Sequence, residues 1–190
     1  MDWLDQIKII FKNNLLTKET IDAMSSATPL DYIKTQLTLH QTLSSIQQDK
    51  IFGLIGGHGL ELINLGYLAG GLYLLKEKII SWHLPVAFLS TLFITALMFN
   101  VLSPETFASP LFHVMSGGSI LCAFFIITDP VSAPTTPKGK IYFGAGIALL
   151  VFIIRIFGGY PEGIAFAVLL FNICAPLIDS LTQPRVFGHK

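Results

Sequence analysis

The chain has 190 residues, of which 52% are hydrophobic and 13% charged, with a mean hydropathy of +0.65. Soluble domains carry about 25% charged residues, so this composition points to the bilayer and away from a water-facing surface. Twelve basic side chains balance twelve acidic ones, which leaves no basic footprint for nucleic acid and no pull toward an acidic partner.

Residues 1–52 differ from the rest: they hold Lys8, Lys12, Lys18, Lys34 and Lys50 and no apolar run long enough to span. The opening stretch MDWLDQIKIIFKNNLL is short and interrupted by charges, so it is neither a signal peptide nor a span. It reads as an amphipathic helix lying on a membrane or against another protein. From 29 to 48 the pattern is helical, with Leu30, Ile33, Leu37 and Leu43 on one side.

Thr28 opens that helix. Threonine is an accepted N-cap, Pro29 suits the first helical position, and Asp31 places negative charge in the first turn. As a helix start it is complete without any function. The same place nevertheless offers unpaired N–H groups and the positive end of a dipole, where a phosphate is stabilised. Ser25, Ser26 and Ala27 are small and leave room for a modifying enzyme.

After Lys50 five apolar stretches follow, each near the roughly 20 residues a crossing needs. They are 60–75, 83–102, 110–128, 141–157 and 163–181, the first and fourth being short. Lys76 and Lys78 follow the first, Lys138 and Lys140 precede the fourth, and Arg185 and Lys190 follow the fifth, whereas 103–109 and 158–162 carry no basic residue. By the positive-inside rule the C-terminus is cytoplasmic. Residues 1–52 then lie on the opposite face, which in a bacterium is periplasmic. The expected architecture is an all-α polytopic membrane protein of about five transmembrane helices. Its parts are an extramembrane segment over 1–52, a five-helix domain over 53–182 and a cytoplasmic tail over 183–190. An odd helix count suits half of an inverted-repeat architecture, with a spanning portion expected before Met1 in the full protein.

Other residues carry weaker signals. Asp129, in TDPVSAPTTPKGK, ends the third stretch where Pro130 stops the helix; it reads as a boundary acid near Lys138, or as part of a loop shaping a cofactor or partner surface. Arg155 lies inside an apolar run, and a cation there must snorkel, pair or bind; Glu162 is its obvious partner, and an anionic cofactor group its alternative. The Gly-rich GLIGGHG lacks the lysine of a phosphate loop, and its His58 is a lone signal. Gly66 and Gly70 favour close helix approach. Asn64, Asn100 and Asn172 suit interhelical bonds, and Cys122 and Cys174 read as small packing residues.

Taken together, DAMSSATPL, TDPVSAPTTPKGK and RIFGGYPEGIAFAVLLFN resemble the D subunit of the Rnf electron-transport complex and, more distantly, the B subunit of the sodium-translocating NADH:quinone oxidoreductase. The likeness covers nearly the whole chain and corresponds to the C-terminal part of a longer subunit. It implies FMN attached through its phosphate to a threonine in an S-G-A-T-like motif preceded by aspartate. Asp22, Ser25, Ala27 and Thr28 fill that pattern, and Ser26 stands where glycine is usual. It also implies a second, noncovalent flavin, a flavin transferase, neighbouring flavin and iron–sulfur subunits, and a place in the bacterial inner membrane. Such a subunit is not catalytic alone. A transporter or channel half without a redox cofactor is the competing expectation, and a structural scaffold a third.

Overall fold

The computed structural model describes residues 28–39, 43–46 and 60–184, except for the side chains at 38, 44 and 45. Asp22, Ser25, Ser26, Ala27 and His58 lie outside the described residues, as do the opening stretch and the tail beyond 184. Among the described residues every regular element is helical.

The order is α1 (Pro29–Thr38), a single turn α2 (Leu43–Ile46), α3 (Leu60–Lys76), α4 (His83–Leu102), α5 (Pro110–Met115), α6 (Ser119–Leu121) running on as a π-helical turn over Cys122–Ile126, α7 (Pro137–Phe157) and α8 (Ile164–Thr182). Three of these, α4, α7 and α8, are long and apolar enough to cross a membrane. At 17 residues α3 rises about 26 Å, just short of a hydrocarbon core of about 30 Å. Large side chains such as Leu102, Leu169, Ile173 and Leu181 face outward. An apolar exterior of that extent suits lipid.

The core is built on α4 and α7. Phe143, Ile147, Val151 and Arg155 recur every four residues along α7 and are all buried, against Leu84, Phe88 and Leu92 of α4. Gly144 allows the approach, since a Cβ there would stand 3.0 Å from the Leu84 carbonyl. On the other side of α7, Phe171 of α8 fills the notch left by Gly146. The close approaches on α3 are made by Gly71, against Phe124, and by Gly70, whose Cβ would stand 3.3 Å from the Phe125 ring, whereas Gly66 has nothing within 4 Å of a Cβ.

Three expectations need correction. The third apolar stretch is not one helix: it breaks at Ser116–Gly117–Gly118, where Gly117 takes φ +63, a conformation L side chains rarely adopt. The helix expected over 29–48 ends at Thr38, where the last turn tightens: the Leu39 N–H is shared between Thr35 O, the ordinary helical partner, and Gln36 O, both at 3.1 Å. The fourth span starts at Pro137 rather than 141, with Thr136 Oγ1 accepting from Gly139 N at 3.0 Å. Lys138 and Lys140 therefore ride on the first turns of α7 instead of in a loop.

Candidate functional site

The break in the third span leaves backbone groups that helices on either side no longer pair, and a buried group of this kind must find another partner. Arg155, from the last turn of α7, supplies most of the donors. Its Nη1 donates to His113 O at 2.7 Å, and its Nη2 to Ser119 Oγ at 2.9 Å and Ser116 O at 3.4 Å. Asn64 of α3 donates to Met115 O at 2.6 Å. Glu162 closes the circuit: its carboxylate lies 2.9 Å from Arg155 Nη2 and accepts from Gly118 N at 3.2 Å. One cation and one anion thus serve the two edges of the gap. The Arg155 side chain is 1% exposed, so it pairs rather than snorkels.

Position 117 has to be glycine for a second reason. A Cβ there would run into Glu162 Oε2 and come within 2.8 Å of Leu30 Cδ1. The α1 helix therefore lies directly over the break. Leu30, Ile33, Leu43 and Ile46 pack with Ala108 and Phe112, and Lys34 Nζ donates to Ile154 O, Arg155 O and Tyr160 O at 3.4, 3.2 and 2.9 Å. Those carbonyls surround the C-terminal end of α7, where a cation complements the helix dipole. Burial pulls the Lys34 amine below the usual lysine range, while the Asp31 carboxylate pushes it back up.

Thr28 is exposed at the start of α1, and its Oγ1 accepts from Asp31 N at 3.3 Å. The capping expected from the sequence is present. Between α1, the 103–109 loop and the end of α7 lies a cavity of about 390 Å³, lined by residues that include Ile33, Lys34, Phe107, His113 and Arg155.

A family model described as NQR2, RnfD, RnfE matches residues 1–188. The chain belongs to that family. Among its relatives is the D subunit of the ion-translocating oxidoreductase complex of Aliivibrio salmonicida, 53% identical over 170 residues, or 90% of this chain and 48% of the relative. The corresponding D subunit of Vibrio vulnificus is 55% identical over 169 residues, 89% of this chain and 48% of that one. That of Escherichia coli O9:H4 is 47% identical over 196 residues, 99% of this chain and 56% of the relative. The chain therefore spans about half the length of the curated relatives it matches.

Within this family member, Thr28 and Arg155 come to the same end of the bundle, joined through α1 and Lys34. Asp129 does not join them. It sits before α7, and Arg155 lies about 27 Å along the axis of that helix from its first residue, Pro137. Its carboxylate accepts from Ser132 Oγ at 2.9 Å, Ser132 N at 3.2 Å and Val131 N at 3.4 Å, closing a local turn rather than pairing with Lys138. Asp179 reinforces the same end from α8, accepting from Thr135 N at 2.9 Å and Thr136 N at 3.2 Å. From the last turn of α4, Asn100 donates to Phe107 O in the loop that follows, at 2.7 Å, and Asn172 Oδ1 is buried without a partner. Cys122 is buried as expected, but Cys174 is exposed.

Sequence reasoning missed His113, Ser119 and the capping role of Lys34. The Ser-Gly-Gly at 116–118 was the available signal for a break, and an interrupted helix predicts side chains recruited to its open ends.

Proposed function

We propose that this chain is the C-terminal, membrane-embedded part of a flavin-carrying subunit of an Rnf-type ion-translocating electron-transport complex. In this reading FMN is held by a phosphoester at Thr28. The observation that supports it is the exposed Thr28 hydroxyl at the N-terminus of a ten-residue helix, on the segment packed over the Arg155 end of the bundle. Esterification replaces the O–H bond with O–P; the proton leaves, and an activated flavin phosphate supplies the departing group. The phosphate oxygens then take over the N–H groups of Leu30 and Asp31, Pro29 having none, and the helix dipole favours their charge.

The flavin supplies the electron chemistry, and the chain positions it. Lys34 and the apolar face of α1 fix the attachment point to α7, so the tether is anchored to a membrane helix rather than to a loose segment. We place residues 1–52 on the periplasmic face of a bacterial inner membrane and the C-terminus in the cytoplasm. The partners are a flavin transferase and neighbouring flavin and iron–sulfur subunits, and a second, noncovalent flavin belongs to the same reading.

The broken third span favours a second reading, a transport half without a redox cofactor, because discontinuous helices line many transport sites. Against it, the carbonyls of His113, Met115 and Ser116 already have side-chain donors. Coexpression with a flavin transferase, followed by a denaturing gel, separates the two. Covalent flavin fluorescence that vanishes in Thr28→Ala is expected. Its absence from the wild type, with active transferase, would favour transport.

A further inference from the structure

We propose that α1 is a strap over the broken third span, latched by Lys34 to the end of α7 and able to lift away while the bundle beneath it stays folded. The apolar contacts divide accordingly. Leu30, Ile33, Leu43 and Ile46 pack with Ala108 and Phe112 in a cluster of their own, apart from the main core that joins α4, the second half of the third span, α7 and α8. Leu30, Ile33, Lys34 and Leu37 line the cavity of about 390 Å³ from α1, and Arg155, Ile156 and Gly158 line it from the end of α7. A helix lying over such a void forgoes dispersion contacts along that stretch. Segments with little apolar burial are the ones that open locally, well below the free energy of global unfolding.

Two contacts would have to release for α1 to move. At its start, Leu30 Cδ1 lies 2.8 Å from where a Cβ on Gly117 would stand, so Leu30 covers the turn at the break. One turn on, Lys34 Nζ donates to Ile154 O, Arg155 O and Tyr160 O. Tyr160 stands two residues before Glu162, so the same amine steadies the loop that carries the carboxylate serving Gly118 N. Lifting α1 uncovers Gly117 and loosens that loop, and the Glu162 side chain, already 36% exposed, then meets water more fully. At ten residues α1 is too short to keep its helix alone, so once lifted it frays. The strap thus links whatever hangs from Thr28 to the state of the break, and it does so whether or not that group is a flavin.

The test uses the full chain in detergent, with Cys174→Ala removing the exposed thiol and Ala108→Cys placing one beneath α1, at a position 4% exposed that lines the cavity. Labelling by a sulfonated maleimide is followed in this parent and with Lys34→Met, Leu30→Ala or Thr35→Ala added. The native Cys122, buried in the main core, registers any opening of the bundle. Lys34→Met removes the hydrogen bonds of a charged donor, and labelling at 108 should quicken about tenfold or more. Leu30→Ala should quicken it several-fold, whereas Thr35→Ala, at an exposed position of α1, should leave it near the parent rate. Cys122 should stay unlabelled throughout. Amide exchange of the unsubstituted chain needs no added thiol: α1 and Gly118 should exchange together, ahead of the middle of α4 and α7, and Lys34→Met should quicken both. Position 108 labelled at the parent rate in Lys34→Met and Leu30→Ala, or Cys122 labelled in step with it, would overturn the inference. So would α1 amides that exchange no faster than those of α7.

Discussion

The two ends of the transmembrane bundle solve the same problem in opposite ways. At the end holding Asp129 and Asp179, chain reversals are stabilised by carboxylates and hydroxyls that bond backbone N–H groups near the surface; even Val131, at the turn, is 91% exposed. At the other end a buried guanidinium and a carboxylate bridge a gap inside a membrane helix, reaching partners 36 to 44 residues away in sequence. Water shares the load at the first end, so each interaction there is individually dispensable. At the second, burial makes each one hard to remove without leaving its partner stranded.

That contrast can be broken most forcefully at Arg155. Arg155→Leu removes the partner of the part-exposed Glu162 and leaves the carbonyls of His113 and Ser116 to share the one proton of the Ser119 hydroxyl, and a buried group left unpaired costs about 1–3 kcal/mol. A large fall in the detergent melting temperature is expected. Adding Glu162→Leu should recover only part of it, because Gly118 N then lacks its acceptor and the two carbonyls still share one hydroxyl proton; full recovery would mean that the pair serves itself alone and not the break.

Asp179→Ala should cost much less, about 1 kcal/mol, in line with the loss of an exposed helix cap. Hydrogen exchange should rise at Thr135 and Thr136 while the Arg155 end stays protected. A loss comparable with that of Arg155→Leu would erase the distinction between the ends.

Asp129 sharpens the comparison at its weakest point. The Ser132 hydroxyl, with help from the Val131 N–H, holds its carboxyl below the usual range. A folded pKa below the unfolded one adds stability above the ordinary carboxylate value of about 3.9, and that stability is lost as pH falls through the folded value. Ser132 amide protection, corrected for the intrinsic exchange rate, should therefore persist to about pH 4 and decline below it, while Asp129→Asn should show no such decline.

The same contrast explains what the sequence made legible. Local signals carried well: Thr28-Pro29 marks the start of α1, and the apolar run 83–102 coincides with α4. Thr136-Pro137 is the same kind of cap, yet Lys138 and Lys140 suggested a loop, although charges are tolerated on a first turn at the membrane edge. The break at 116–118 stayed hidden because glycines within an apolar run also suit an unbroken membrane helix. Arg155 and Glu162 were readable as a pair, being seven residues apart. Their service to His113, Ser116 and Gly118 was not, since nothing in the local pattern of one helix reports which gap its side chains fill in another.

The account's central claim is tested most directly by tandem mass spectrometry of the tryptic peptide between Lys18 and Lys34, taken from chain produced with an active flavin transferase. The account predicts that peptide carrying a flavin phosphate on the Thr28 side chain. The peptide recovered wholly unmodified, or carrying the flavin on Ser25 or Ser26, would contradict it.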